Sequence, residues 1–215
     1  MRTLQMKQNS YPGYLITFCG LDGCGKTSMI KKLREYFKER DICPILTKQP
    51  TNEVRNSNIF KTYMDSPNHG EYAYRSLSLL AASDRIQHTE KKIEPILQKG
   101  GHVISDRYFY SCLANLRARG FTDDQWIYEI AQFILKPSVS FFLDVPVEVA
   151  VQRVRQREEE KNRYIDMELQ YRLREEYLQI AEASGGIVVM TDRSEEESFR
   201  SISMAVERKM KECVM

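Results

Sequence analysis

The stretch CGLDGCGKTSM, Cys19 to Met29, decides how the rest of the chain is read. Gly20, Gly25, Lys26 and Thr27 stand in the spacing G-x-x-x-x-G-K-[ST]. Such a loop turns backbone N–H groups onto phosphate oxygens, and the helix that follows adds the positive end of its dipole. The flanks agree. YLITFCG, Tyr14–Gly20, is β-rich and runs into the loop, and Lys26–Arg40 leaves it with Ile30, Leu33 and Phe37 at helical spacing. The expected phosphate-binding residues are therefore Gly20, Leu21, Asp22, Gly23, Cys24, Gly25, Lys26, Thr27 and Ser28. Lys26 would reach the β- and γ-phosphates, and the Thr27 hydroxyl would bind Mg²⁺. Asp22 is the odd residue, because a carboxylate inside a phosphate cradle repels the ligand. Either it caps the turn through backbone N–H groups, or it points outward to a hydroxyl of a second substrate, as in a transferase.

Outward from the loop, short apolar runs alternate with longer amphipathic ones. Strands are expected at Pro44–Pro50, His102–Asp106, Ser138–Val145 and Gly186–Asp192. Helices are expected over Tyr72–Gln98, stopped by Lys99-Gly100-Gly101, from Pro146 with Val149, Ala150 and Val154 on one side, and over Asp166–Ser184. Thr122/Gln125 and Ser194/Glu197 read as capping boxes, the first opening a helix through Leu135. Strand–helix alternation implies parallel strands with right-handed crossovers. The predicted fold is a three-layer α/β sandwich with about five parallel strands flanked by helices. Residues 1–13 read as a polar lead-in, and 14–215 as a single domain.

With 215 residues and a formal net charge of +2, the chain lacks the strongly basic face of a bulk nucleic-acid binder. Cys19, Cys24, Cys43, Cys112 and Cys213 are scattered, an odd number with no C-x-x-C pair, which suits reduced thiols in the cytoplasm. No apolar run is long enough to cross a bilayer. His69, His88 and His102 are not at metal-ligand spacing, Trp126 and Phe133 read as core, and Asp144 reads as an N-cap before Pro146. A GTPase switch would carry N-K-x-D, which is absent, and a polymer motor would carry a basic track.

A second constellation, SDRYFYS (Ser105–Ser111), ends the third apolar strand. An Asp there can hold Mg²⁺ through water, and the adjacent Arg can span two phosphates, so Asp106 and Arg107 join the site. With GLDGCGKTS, TKQPT, LLAASDRIQH, EPILQKGGHVISDRYFYS and FFLDVPVEVAVQRVRQRE in this order, the chain resembles the thymidylate kinases, P-loop kinases that phosphorylate dTMP to dTDP with ATP. The resemblance implies a P-loop kinase fold with a mobile lid near 153–166. It also implies ATP and Mg²⁺ as cofactors, a nucleoside monophosphate as partner, and a homodimer joined through helices such as Tyr72–Gln98. On this resemblance Asp22 meets the acceptor's 3′-hydroxyl, and Arg85 and Ser111 meet its base. Arg107 holds acceptor and transferring phosphates, Asp106 lies near the metal, and Tyr108 follows the D-R-Y pattern. Lys48 and Pro50 fall in the proline turn, and Arg55 and Lys61 follow it. Arg153, Arg155, Arg157 and Arg163 fall in or beside the lid, and residues 191–194 flank the adenine. The phosphate loop carries no arginine, so the lid must supply the cation of the transition state, from Arg157 or Arg163.

The resemblance breaks on the acceptor side. Ala81 stands where the family has a Phe that stacks on thymine, and Asn115 where it has a Tyr or Phe near the sugar. Gln49 replaces the Glu of the proline turn, and Ile165 a lid Glu for which Asp166 is the nearest substitute. Leu79, Leu80 and Tyr74 are the neighbours able to fill the space left at Ala81. Phosphoryl transfer to another nucleoside monophosphate, or to a nucleoside-like acceptor, therefore stands beside dTMP as a reading. A nucleotide switch acting through a protein partner is the reading of another class.

Overall fold

A computed structural model describes residues 4–65 and 71–212; His69 and Cys213 lie outside them. Five parallel strands run β1 (Leu15–Cys19), β2 (Ile45–Lys48), β3 (Val103–Asp106), β4 (Val139–Asp144) and β5 (Ile187–Met190). Their order in the sheet is β2-β3-β1-β4-β5. The register puts Phe18 beside both Asp106 and Phe141, so the C-terminal ends of the three central strands finish together. That edge, where the crossovers diverge to either side of β1, is where such sheets hold ligands. β1 and β4 are buried along their whole length, as continuous apolar runs require. The outer strand β2 keeps Ile45 and Leu46 exposed.

Helix α1 (Lys26–Lys38) packs with α10 (Glu195–Glu212) over β1, β3, β4 and β5. A second set, α4 (Tyr74–His88), α6 (Phe109–Ala118) and α9 (Met167–Ser184), packs together, with α9 on β4 and β5. Short helices α2 (Asn52–Arg55) and α3 (Asn58–Asp65) follow the proline turn, and α8 (Val147–Arg155) leads into the lid. The expected three-layer α/β fold is present. The Tyr72–Gln98 helix is not uniform: a π-helical turn at Thr89–Ile93 separates α4 from α5 (Glu94–Gln98). Sequence reading also passed over α2, α3 and α6. In α6 eight of ten residues are buried, so no amphipathic stripe marks it.

Other expectations are corrected. Thr122 opens no helix: α7 starts at Trp126, ends at Ile130 and runs into a single 3₁₀ turn. Asp124 is instead occupied by Arg75 and the Trp126 indole N–H. Phe133 is 52% exposed rather than core. Asp144 does not cap the next helix but forms a two-pronged ion pair with Arg174, at 2.7 and 2.8 Å. The polar lead-in is tied down: the Lys7 N–H donates to Ile134 O and Lys136 N–H to Lys7 O. Lys7 Nζ and Tyr11 OH both reach the Glu94 carboxylate at 2.8 Å. The second capping box forms as read, with Ser194 Oγ accepting from Glu197 N–H and the Glu197 carboxylate accepting from Ser194 N–H.

Candidate active site

The loop after β1 is shaped by backbone crowding. Gly23 has φ +83°, and a Cβ there would sit 2.1 Å from Ala150 O; at Gly20 (φ +136°) it would sit 2.4 Å from Leu143 O. No L side chain fits either place. Lys26 is buried, and its ammonium folds back onto Leu21 O (2.6 Å) and Gly20 O (3.2 Å). Thr27 is exposed on the first turn of α1. Leu21, Gly23, Gly25, Lys26, Thr27 and Ser28 line one end of a cavity of about 900 Å³. The Cys24 side chain is buried beneath the loop, with its sulfur 3.7 Å from Lys26 Nζ. Arg153 closes this end, with Nη2 donating to Thr191 O (2.9 Å), while the Thr191 hydroxyl lies 2.9 Å from Cys24 O.

Asp22 faces outward. One oxygen meets Arg107 Nη2, and the other is 3.2 Å from Arg163 Nη2. Burial would raise its pKa, but the charges of Arg107, Lys26 and Arg163 outweigh that and hold the carboxyl far below its ordinary range. Arg107 has φ +67°, an uncommon conformation for a residue with a side chain, and its N–H bonds Phe18 O at 2.8 Å. Its Nη1 reaches Gly20 O (3.2 Å) and the Tyr177 hydroxyl (3.1 Å). Burial works against the Arg107 charge, yet Asp22, Tyr177 and Asp106 raise its pKa well above the usual arginine value. Asp106 ends β3 with Oδ2 3.3 Å from Lys48 Nζ and Oδ1 buried without a partner among the described residues. Asp106 and Thr27 line the same cavity, and two such oxygen ligands would suit Mg²⁺, which takes few protein ligands and completes its shell with phosphate and water.

The other end of the cavity lies between α4 and α6. Arg85 and Ser111 are each 3% exposed, and Arg85 Nε has no partner among the described residues. A buried donor left in that state can serve a ligand that enters the cavity. Ala81 and Asn115 line the same space with no ring at either position, whereas Tyr74 does line it. Leu79 and Leu80 are exposed and do not line it. The proline turn is held to α4 at three points: His88 bonds Thr47 (2.9 Å) and Gln49 (3.0 Å), and Asp84 accepts from Thr51 N–H (2.9 Å). Pro50, after a cis peptide bond, lines the cavity with Lys48.

The lid divides its arginines. Arg163 bonds Asp22 and also lies 3.4 Å from Glu160, while among the described residues Arg157 pairs with Glu160 alone (3.4 Å). Arg155 donates to Lys161 O and holds the lid's own backbone. Asp166 caps α9 by accepting from Leu169 N–H at 3.0 Å. Tyr108 is corrected as a substrate residue: it is fully buried, and its hydroxyl donates to Leu135 O. Arg55, singled out only weakly by sequence, donates to Pro50 O and lines the cavity, while Lys61 is exposed elsewhere. Tyr177 went unnoticed in EEYLQIA; burial pushes its hydroxyl up to about 12, so it stays protonated beside Arg107. No local pattern could reveal it, since its partner is seventy residues away.

A cradle and a turned-in lysine at one end of the cavity, joined to the other end through an arginine-clamped carboxylate, describe a P-loop nucleotide kinase. The family model for thymidylate kinase matches residues 18–202, and the chain belongs to that family. It is 38% identical over 168 residues to "Probable thymidylate kinase" of Thermococcus kodakarensis, covering 76% of this chain and 82% of that protein. It is 35% identical over 204 residues to "Probable thymidylate kinase" of Thermococcus gammatolerans, covering 92% and 98%. "Thymidylate kinase" of a Geobacillus species is 33% identical over 189 residues, covering 85% and 89%. The protein is a nucleoside monophosphate kinase. No helix among the described residues is long and apolar enough to cross a membrane.

Proposed function

We propose that this enzyme transfers the γ-phosphate of ATP, with Mg²⁺, to dTMP and forms dTDP. The carrying observation is Asp22: among the described residues it caps no backbone N–H, and it stands in the phosphate loop on the cavity that α4 and α6 also line, gripped by Arg107 and Arg163. A bond forms from the acceptor's phosphate oxygen to the transferring phosphorus as the bond to the ADP oxygen breaks. Lys26 and Arg163 stabilise charge on the transferring group, Arg107 holds it to the acceptor phosphate, and Thr27 and Asp106 hold the metal. Arg153 and residues 191–194 flank the adenine. Lys48, Pro50 and Arg55 contact the acceptor phosphate, Asp22 its 3′-hydroxyl, and Arg85 and Ser111 its base.

Residues 14–215 act as one domain, with 153–166 as a lid that excludes water and so prevents wasteful hydrolysis. Two copies meet through the outer face of α4, where Leu79 and Leu80 are exposed. Coupled ADP production with Mg²⁺–ATP and a panel of dTMP, dUMP, UMP, dCMP, dGMP and dAMP tests the reading. Stimulation by dTMP above the others supports it, another preferred nucleotide moves the specificity, and stimulation by none removes the function.

A further inference from the structure

The far end of the acceptor cavity holds an arginine that the reading above does not use. Ser111, Asn115 and Arg119 follow at intervals of four along α6 and its C-cap, so they share one face of the helix. All three line the cavity with Tyr74. Arg119 Nη1 donates to Asn115 Oδ1 (2.9 Å) and Asn115 O (3.1 Å), while Asn115 Nδ2 donates to Ser111 O (2.9 Å). The Arg119 guanidinium lies 4.1 Å from the centre of the Tyr74 ring. That ring is itself fixed: it lies parallel to Phe121 (8°, 6.2 Å), Arg75 stands over Phe121, and Tyr63 meets Tyr74 edge-on at 5.3 Å. Among the described residues, Arg119 Nε and Nη2 donate to nothing. Arginine is donor-only, and stacking on a ring pre-orients its fork at low entropic cost.

We propose that Arg119 is a specificity-determining residue that donates to an oxygen on the nucleoside part of the acceptor, and that Asn115 positions it. This rests on the acceptor reading of the cavity. The oxygen is either a base carbonyl or a sugar hydroxyl, since both accept from a guanidinium. In either case the small side chains Ser78, Ala81, Ser111 and Asn115 leave the nucleoside room to reach it.

The test is calorimetric binding of dTMP, dCMP, dUMP and UMP to the full chain without ATP, which does not depend on turnover. For Arg119→Ala and Asn115→Leu the dissociation constant of the preferred acceptor is expected to rise about tenfold, with ATP binding changed less than about twofold. Asn115→Asp, which keeps an oxygen for Arg119, should restore most of the affinity. Loss of discrimination between dTMP and dCMP places the contact on the base carbonyl, and loss between dUMP and UMP places it on the sugar. Unchanged acceptor affinity in both Arg119→Ala and Asn115→Leu overturns the proposal while leaving the kinase reading intact. A wild-type protein that binds none of the four overturns both.

Discussion

The two ends of the cavity are built differently. The donor end is made of backbone: glycines pressed against Leu143 O and Ala150 O, and carbonyls that receive Lys26, Arg153 and Thr191. The acceptor end is lined by side chains on α4 and α6, several of them held to one another by hydrogen bonds and stacked rings. Backbone geometry tolerates almost no substitution, so its sequence is nearly dictated. A pocket of side chains can exchange a ring for a rebuilt arginine–tyrosine stack and still be a pocket. Hence the motif reading of the sequence matches the thymidylate kinase pattern at one end and expects departures from it at the other.

The largest effect that could break this contrast is at Lys26. Lys26→Ala is expected to lower turnover by about a thousandfold or more in a coupled ADP assay; near-wild-type activity would mean the loop is structural only. Next comes Arg163→Ala, expected to cost about a hundredfold in kcat, with Arg157→Ala within about tenfold; the reverse ranking would move the catalytic cation to the outer arginine. Gly23→Ala should destabilise by about 2–4 kcal/mol in denaturant unfolding, because a Cβ meets Ala150 O and φ is positive. At the softer acceptor end, Ala81→Phe should tighten dTMP by about fivefold through ring stacking. If it weakens dTMP instead, the space at Ala81 is already in use.

The smallest effect concerns pH. Burial lowers the pKa of His88 and His102. A histidine kept neutral in the fold binds fewer protons there than in the unfolded chain. Stability should therefore rise with pH through this window and fall as pH drops below about 6.5, the unfolded value. His88→Gln should flatten that slope in thermal melts; an unchanged slope would assign it to His102 or to carboxylates.

Sequence alone made the donor end legible because glycine spacing, a strand before and a helix after are all local signals. The strand–helix alternation gave the sheet for the same reason. α6 escaped because Phe109–Ala118 is apolar nearly all round, and the Thr122/Gln125 box misled because Asp124 and Trp126 spend their polar groups on each other and on Arg75. The lead-in showed only its polarity, because its anchors, Glu94, Leu97 and Ile134, are about eighty to one hundred and thirty residues distant. Tyr108 was assigned by its place in a motif, and only the packed core shows that its hydroxyl serves Leu135.

The π-helical turn at Thr89–Ile93 acts as a phase shifter. A π turn amounts to one residue inserted into an α-helix, about 100° of rotation. It lets Arg85 face the cavity and Asp84 and His88 the proline turn, while Glu94, six residues beyond His88, faces Lys7 and Tyr11 instead. Deleting a single residue there would leave every side chain of α4 intact yet turn the working face away from its anchor. The gearing of this helix is thus as much a part of the acceptor site as any residue that touches it.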